Sequence, residues 1–148
     1  MLENQVEILL VEDNPNDVEL ALIALQDNRL VNHVEIARDG AEALERIFGA
    51  SRGADKPLSR HPRLILLDLK LPKVDGMEVL KRLKADPRSR AIPVVVLTAS
   101  REERDLVESY ALGVNSYIVK PVDFEQFVEA VRLLGMYWVV LNEPPLVV

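Results

Sequence analysis

The 148-residue sequence predicts an open, doubly wound α/β fold, in which helices cover both faces of a parallel sheet. Five short apolar runs, rich in Val, Ile and Leu, alternate with segments whose apolar residues recur at helical spacing. The first, third and fourth runs are almost continuously apolar, which is typical of parallel strands covered on both faces. The connections between the runs are long enough to join parallel strands.

The apolar runs set the expected strands, which are Val6–Val11, Val34–Ala37, Leu64–Leu67, Pro93–Leu97 and Tyr117–Val119. The intervening segments carry the apolar stripe of an amphipathic helix. In the first of them Val18, Leu22 and Leu25 stand at positions i, i+4 and i+7. The last expected helix has a long apolar stripe that starts at Phe124 and continues beyond Val131. Five strands and five helices are therefore expected.

Capping residues mark several helix ends. Asn14 precedes Pro15, which places a capping side chain before a proline at the first helical position. Asp75 stands three residues before Glu78, a spacing that resembles a capping box at the start of the third helix. Pro87 ends that helix after Asp86. Gly113 is expected to be the left-handed C-terminal cap of the fourth helix.

Length and composition indicate one domain over residues 1–148, with a core at about 6–130 and a C-terminal helix extension and tail at about 131–148. The absence of cysteine excludes disulfides, thiolate catalysis and cysteine-ligated zinc. We expect a cytoplasmic protein that binds no membrane, because no signal sequence or bilayer-length apolar run is present. The net charge of −6 argues against nucleic-acid binding. A local basic patch stays open as the alternative, through Arg60, Arg63, Lys70 and Lys73.

Chemically active side chains stand where the expected strands end. Glu12 and Asp13 follow the first strand, Asp68 the third, Thr98 the fourth and Lys120 the fifth. In open α/β sheets the ligand site lies beyond the carboxyl ends of the strands. A group of carboxylates held together is unfavourable unless it binds a divalent cation or takes up a proton. Mg²⁺ prefers such oxygen ligands.

The same set fits phosphoryl transfer onto a carboxylate. Asp68 would be the nucleophile, and the metal with Lys120 would neutralise charge on the phosphoryl oxygens. The Thr98 hydroxyl would donate to another phosphoryl oxygen. Each residue alone has a plainer explanation: Asp13 as a helix cap, Asp68 as a strand end, Thr98 as a capping hydroxyl and Lys120 as a surface amine. The combination at several strand ends favours the functional interpretation.

At these residues the sequence resembles the bacterial response-regulator receiver family. The resemblance covers about residues 6 to 130, and the matching segments are Ile8–Pro15, Leu64–Pro72 with Asp75-Gly76-Met77, Val94–Ala99 and Gly113–Pro121. It implies a flavodoxin-like sheet of strand order 2-1-3-4-5 with five helices, the last of them extended. It further implies that the protein is a phosphoacceptor and not an enzyme in the ordinary sense.

The resemblance also assigns roles to individual positions. Asp68 would accept the phosphoryl group, and Asp13 would ligate Mg²⁺ directly, with Glu12 acting mainly through water and Lys70 through its backbone carbonyl. Lys120 would contact the phosphoryl group, and Pro121 would follow a cis peptide bond. Thr98 and Tyr117 would be the switch pair, moving together on phosphorylation. Without the family pattern, Tyr117 would be interpreted as a half-buried aromatic residue of a strand.

Two further features resemble the stand-alone receivers that partner bacterial phytochrome histidine kinases. One is the long polar and basic loop over residues 49–63, and the other is an apolar C-terminal segment. We expect a sensor histidine kinase, a bacterial phytochrome, as the partner. The aromatic and aliphatic residues of the segment predict a homodimer through the fifth helix, with a tail folded back on its own domain as the alternative. These interface residues are Tyr137, Trp138, Val140 and Leu141.

Two other functions remain to be weighed. A phosphohydrolase with an aspartyl-phosphate intermediate would use similar residues, but such enzymes typically carry a second Asp two positions after the nucleophile. That position is Lys70 in this chain. A scaffold that binds partners without phosphorylation is disfavoured, because all the chemical positions are intact. The favoured interpretation is a single-domain switch that signals through protein–protein contacts or a phosphorelay.

Overall fold

A five-stranded parallel sheet forms the centre of the computed structural model, with strand order β2-β1-β3-β4-β5. The strands are β1 (Val6–Val11), β2 (Val31–Ala37), β3 (Leu64–Asp68), β4 (Val94–Thr98) and β5 (Ser116–Val119). The structure describes residues 6–26, 31–49, 58, 62–98, 102, 105, 108, 113–114, 116–119, 125 and 129. The predicted strand order is confirmed over these residues.

Three helices lie between the first four strands. They are α1 (Pro15–Gln26), α2 (Gly40–Phe48) and α3 (Gly76–Ala85). The predicted fourth and fifth helices fall mostly outside the described residues. The described positions within those two segments are helical and exposed, namely Glu102, Asp105, Glu108, Glu125 and Glu129. The C-terminal extension at 131–148 lies outside the described residues.

Strand β2 starts three residues earlier than its apolar run predicted. Val31 pairs with Val6 at the beginning of the β1–β2 ladder. The polar residues Asn32 and His33 interrupt the apolar pattern, so the run in the sequence begins only at Val34. Because β2 is at the edge of the sheet, it can carry polar residues that a central strand would not.

The core consists of two layers, one on each face of the sheet. On one face α1 packs through Val18, Ala21 and Leu25 against alternate residues of the central strands. On the opposite face α2 and α3 pack against the other alternate residues, for example Leu67 and Val96. Strands β3 and β4 are buried along their entire length because both faces are covered.

The predicted start of α1 and the predicted end of α3 are confirmed, with one correction at the start of α3. Asn14 Oδ1 accepts from the N–H groups of Asn16 and Asp17 at 2.9 and 3.2 Å, which caps α1. Helix α3 ends at Ala85 before Asp86, and Gly113 has a positive φ of 70°. The capping box predicted for α3 was wrong, since Asp75 is the N-cap residue but its side chain makes no capping hydrogen bond. Its extended backbone alone leads the chain into the helix.

The turn between α3 and β4 is closed by an ion pair. Arg88 donates from Nε and Nη2 to the two carboxylate oxygens of Asp86, at 3.0 and 2.8 Å. These hydrogen bonds hold the pKa of Asp86 below its ordinary value. The guanidinium also lies 5.5 Å from the centre of the Phe48 ring, so the turn is tied to the end of α2. None of the helices in the described part of the chain has the length and hydropathy of a membrane span.

Candidate functional site

Three carboxylates meet at the carboxyl edge of the sheet. Glu12 and Asp13 directly follow β1, and Asp68 is the last residue of the neighbouring strand β3. One carboxylate oxygen from each residue lies within 4.8 Å of the other two. The structure therefore brings together the three acidic residues that the sequence predicted from two separate strand ends.

Asp68 is held in a defined orientation by its own backbone. The residue is 5% exposed, and its Oδ1 accepts a hydrogen bond from the Lys70 N–H at 3.2 Å. The strand hydrogen bonding continues for one more residue, since the Leu69 N–H donates to the Leu97 carbonyl at 3.2 Å. The Asp68 carboxylate is thus almost fully covered, and one of its oxygens already has a donor.

Glu12 and Asp13 differ in their surroundings. Glu12 is fully buried, and its Oε2 accepts from the Asn14 N–H at 3.2 Å. The Glu12 N–H itself donates to the Ala37 carbonyl of β2 at 3.0 Å. Asp13 is exposed. This contrast agrees with a buried carboxylate beneath the site and an exposed carboxylate that can ligate an ion directly.

Thr98 ends β4 next to Asp68, because Asp68 is paired with Leu97 in the β3–β4 ladder. The residue is fully buried. Among the described residues its Oγ1 has no hydrogen-bond partner. A buried hydroxyl without a partner is costly, since its hydration is lost and nothing replaces it. Such a group is typical of a site that completes its hydrogen bonding only when a ligand or modification is present.

Tyr117 lies in β5 opposite Val96 of β4, two residues before Thr98. Residues two apart in a strand point to the same face, so Tyr117 and Thr98 share the face that is covered by α2 and α3. The Tyr117 side chain is partly buried against the core of that face. The predicted switch pair is thus on adjacent strands and on one face of the sheet.

Lys70 is exposed just after β3, and its backbone is fixed to Asp68 by the hydrogen bond described above. Six other predicted site residues lie outside the described residues. They are Lys120 and Pro121, which follow β5 in the sequence, and Tyr137, Trp138, Val140 and Leu141 in the C-terminal segment.

The N-termini of α2 and α3 support the site, and the sequence analysis had singled out only the start of α3. Gly76 begins α3 and donates from its N–H to the Leu69 carbonyl at 2.9 Å. A Cβ at Gly76 would lie 2.2 Å from the Asp68 carbonyl oxygen. Asp39 caps α2, with Oδ1 accepting from the Glu42 N–H at 2.7 Å. The spacing of Asp39 and Glu42 is that of a capping box, so this signal was present in the sequence.

The donor set fits a hard divalent cation. Carboxylate oxygens from Glu12, Asp13 and Asp68 are the ligands that Mg²⁺ and Mn²⁺ prefer, and the chain has no cysteine to supply a thiolate ligand. Three acidic groups at this distance repel one another unless positive charge is added between them. The site is therefore suited to a small oxygen-liganded cation.

Comparison with protein families gives a match over most of the chain. Residues 8–132 match the response regulator receiver domain. Among curated proteins, the probable methanogenesis regulatory protein FilR2 of Methanothrix harundinacea is 43% identical over 97% of this chain and 90% of its own. Response regulator Rcp1 of Synechocystis is 39% identical over 88% of this chain and 87% of its own.

Solved structures of related proteins agree with this fold. The bacteriophytochrome response regulator RtBRR is 51% identical, with a TM-score of 0.75 over 96% of this chain and 85% of its own. The phosphorylated cyanobacterial phytochrome response regulator RcpA is 40% identical, with a TM-score of 0.78 over 95% and 99% of the two chains. The Mn²⁺-bound form of Rcp1 is 39% identical, with a TM-score of 0.72 over 91% and 95%.

The resemblance deduced from the sequence is thereby confirmed, including its stand-alone, phytochrome-associated relatives. The segment that matches the family includes the ends of β1 and β3, and the acidic cluster lies at these two strand ends. The chain belongs to the family of response regulator receiver domains, with the flavodoxin-like fold of that family.

Proposed function

We propose that this protein is a phosphorylation switch that accepts a phosphoryl group on Asp68 in a Mg²⁺-dependent reaction. The observation that carries the proposal is the acidic cluster, in which Glu12 and Asp13 lie within 4.8 Å of the carboxylate that would be phosphorylated. The phosphorylated RcpA structure and the Mn²⁺-bound Rcp1 structure support it, because both relatives share the fold and about two-fifths of the sequence.

Asp68 would act as the nucleophile. An oxygen of its carboxylate forms a bond to phosphorus while the bond between phosphorus and the donor atom breaks, and an acyl phosphate results. Lys70 N–H already occupies Oδ1 of Asp68 at 3.2 Å, so the hydrogen bond orients the carboxylate. Lys120 would place its ammonium against the phosphoryl oxygens. The protein is a self-modifying acceptor in this proposal and not an enzyme that turns over a separate substrate.

The carboxylates of Glu12, Asp13 and Asp68 would hold the divalent cation together with the Lys70 carbonyl. When bound, the cation offsets the negative charge of the carboxylates and of the phosphoryl oxygens. Mg²⁺ is proposed as the cation because all of these ligands are oxygens, which a hard divalent cation prefers. Burial of Glu12 strengthens its electrostatic interaction with a cation, because the surroundings exclude water.

Thr98 and Tyr117 would transmit the signal. The Thr98 hydroxyl lacks a partner among the described residues, so a phosphoryl oxygen at Asp68 offers it one. Movement of Thr98 toward the phosphoryl group would free space on the face that it shares with Tyr117. The Tyr117 ring would then move inward, and a local change of charge would alter the surface near β5.

The phosphoryl donor is proposed to be a sensor histidine kinase, specifically a bacterial phytochrome. The names of RtBRR and RcpA, which are 51% and 40% identical to this chain, support this partner. The output is proposed to be a protein–protein contact or a phosphorelay, with a homodimer formed through Tyr137, Trp138, Val140 and Leu141.

Intact-mass spectrometry with acetyl phosphate tests the proposed function. With Mg²⁺ present, the wild-type protein should gain the mass of a single phosphoryl group, and chelation of the metal should prevent the gain. Asp68→Asn should remain unmodified under both conditions, because the amide is a poor nucleophile. Asp75→Asn is the matched control, since Asp75 is exposed and follows the same strand, and it should be modified like the wild type.

Two results would contradict the proposal. One is an unmodified wild-type protein at saturating Mg²⁺, with no sign of metal binding in a titration. The other is equal modification of Asp68→Asn and the wild type, which would place the phosphoryl group on another residue.

A further inference from the structure

The loop between β3 and α3 (Leu69–Asp75) is attached at its two ends and also at its middle. At its start the Leu69 N–H bonds to Leu97 of β4, and at its end the Gly76 N–H returns to the Leu69 carbonyl. The middle of the loop instead contacts the N-terminus of α2. Lys70, whose carbonyl would ligate the cation, lies in this loop between the two attachments.

Backbone contact with α2 is close. The Gly40 N–H donates to the Pro72 carbonyl at 3.4 Å. A Cβ at Gly40 would lie 1.8 Å from the carbonyl oxygen of Val74, so the first residue of α2 and the loop touch without room for a side chain. The N-terminus of α2 thus packs directly against the backbone of the loop.

An ion pair adds to this contact. Oδ2 of Asp39 lies 3.6 Å from Nζ of Lys73, while Oδ1 of the same carboxylate caps α2. The Asp39 side chain is 15% exposed and the Lys73 side chain 71% exposed. One carboxylate oxygen of Asp39 therefore binds the N-terminus of α2 and the other binds the loop. Through these two contacts Asp39 can fix the position of the loop relative to the helix.

Lys73 also has an unfavourable backbone conformation. Its φ of 67° makes it the non-glycine residue with positive φ in the described part of the chain. Lysine in the left-handed region is disfavoured and persists only where surrounding contacts hold it. The Lys73 side chain contacts the Asp39 carboxylate, and the preceding Pro72 carbonyl accepts from the Gly40 N–H. These two contacts are suited to hold that conformation.

We infer that Asp39 is a positioning residue for metal binding, which acts through Lys73 to hold the β3–α3 loop and with it the Lys70 carbonyl. The inference rests on the proposed function, in which that carbonyl ligates the cation. Asp39 does not touch the cation itself. Loss of the ion pair would let the loop occupy more conformations, so that part of the binding free energy would be spent on ordering it.

A double-mutant cycle on the affinity for Mn²⁺ tests the inference, with Mn²⁺ measured by electron paramagnetic resonance of the free ion. Asp39→Asn keeps an N-cap acceptor and removes the ion pair. Lys73→Gln removes the same ion pair by replacing its cation. Glutamine, like lysine, is a non-glycine residue, so the cost of the positive φ at position 73 is kept. The Mn²⁺ dissociation constant is measured for the wild type, for both single variants and for the double variant.

The cycle separates positioning from simple charge effects. Removing a carboxylate weakens cation binding through space, and removing an ammonium strengthens it, but those effects act independently in each background. Positioning predicts that the effect of Lys73→Gln on the Mn²⁺ dissociation constant differs between the wild-type and Asp39→Asn backgrounds by about two- to fivefold, the range of exposed ion pairs. Lys73→Arg should bind Mn²⁺ like the wild type.

Asp75→Asn is the charge-matched control, because it removes one carboxylate from the same loop and the Asp75 side chain makes no capping hydrogen bond. It should weaken Mn²⁺ binding less than Asp39→Asn does. The melting temperatures of the metal-free variants should agree within a few degrees, which would separate a lost metal affinity from a lost fold.

The outcomes distinguish this inference from the proposed function. Wild-type protein that binds Mn²⁺, with binding lost in Asp68→Asn, establishes the metal site. Given that result, additive effects of Asp39→Asn and Lys73→Gln overturn the positioning role alone. Wild-type protein that binds no Mn²⁺ overturns the proposed function and the inference together.

Discussion

At the scale of single residues, Thr98 is the clearest departure from ordinary core chemistry. It is fully buried at the end of β4, and its hydroxyl has no partner among the described residues. A protein selected only for stability would place an apolar side chain there. The proposed phosphorylated state would give this hydroxyl the acceptor that it lacks among the described residues.

Thr98→Val should raise the free energy of unfolding of the unphosphorylated protein by about 1 kcal/mol, because valine has the same shape and removes the unsatisfied hydroxyl. Thr98→Ser keeps the hydroxyl and loses a buried methyl group, so it should lower the free energy of unfolding by about 1 kcal/mol. Urea unfolding measures both. A loss of stability in Thr98→Val would mean that the hydroxyl has a partner in the resting state.

The residues of the acidic cluster were predictable because each ends an apolar run. Glu12, Asp13 and Asp68 needed only the rule that parallel strands present their carboxyl ends at one edge. That Glu12 is buried and Asp13 exposed was not predictable, since both residues follow the same strand and are neighbours in the sequence. Alternation along the chain decides which of the two faces the interior, and that depends on where the strand ends.

At the scale of elements, the N-termini of α2 and α3 fix the geometry around Asp68. Both helices begin with glycine, and the backbones of Gly40 and Gly76 are in close contact with the β3–α3 loop. The sequence analysis identified the start of α3 but assigned its cap to Asp75, which forms no capping hydrogen bond. The side-chain cap is at Asp39 instead, which accepts from the Glu42 N–H, and the sequence has the same spacing there. Spacing alone could not decide between them, because the loop contacts depend on tertiary packing.

Gly40→Ala should lower the free energy of unfolding by about 3 kcal/mol, because its methyl group would lie 1.8 Å from the Val74 carbonyl oxygen and backbone must move. Gly113→Ala is the comparison. Gly113 has a φ of 70°, and no atom of the described residues lies within 4 Å of a Cβ built there, so we expect only the backbone penalty of about 1 kcal/mol. Equal losses in urea unfolding would contradict the close contact between α2 and the loop.

At the scale of the whole molecule, the strict alternation of apolar runs and helical segments was enough to predict the sheet. The observed order β2-β1-β3-β4-β5 agrees with the order that the family resemblance implied. The length of the edge strand β2 was underestimated because Asn32 and His33 near its start are polar, which an edge position tolerates and a central position does not. Burial on both faces made β3 and β4 easy to recognise.

The proposed homodimer is also a property of the whole molecule. Trp138→Ser should weaken self-association about tenfold in sedimentation equilibrium, since large aromatic residues at the centre of an interface contribute most of its energy. Ile23→Ser is the control, because Ile23 is 47% exposed on α1 and is apolar. A monomeric wild type, or equal weakening by both variants, would contradict a dimer through the C-terminal segment.

The central claim is that Asp68 carries the phosphoryl group as an acyl phosphate, and chemical trapping of that bond tests it most directly. Borohydride reduces an acyl phosphate to an alcohol and leaves a free carboxylate unchanged, so peptide mass spectrometry can locate the reduced side chain. After treatment with acetyl phosphate and Mg²⁺, we predict reduction at position 68 alone, and none when the metal is chelated. Reduction at another carboxylate, or a phosphorylated peptide without reduction at Asp68, would contradict the account.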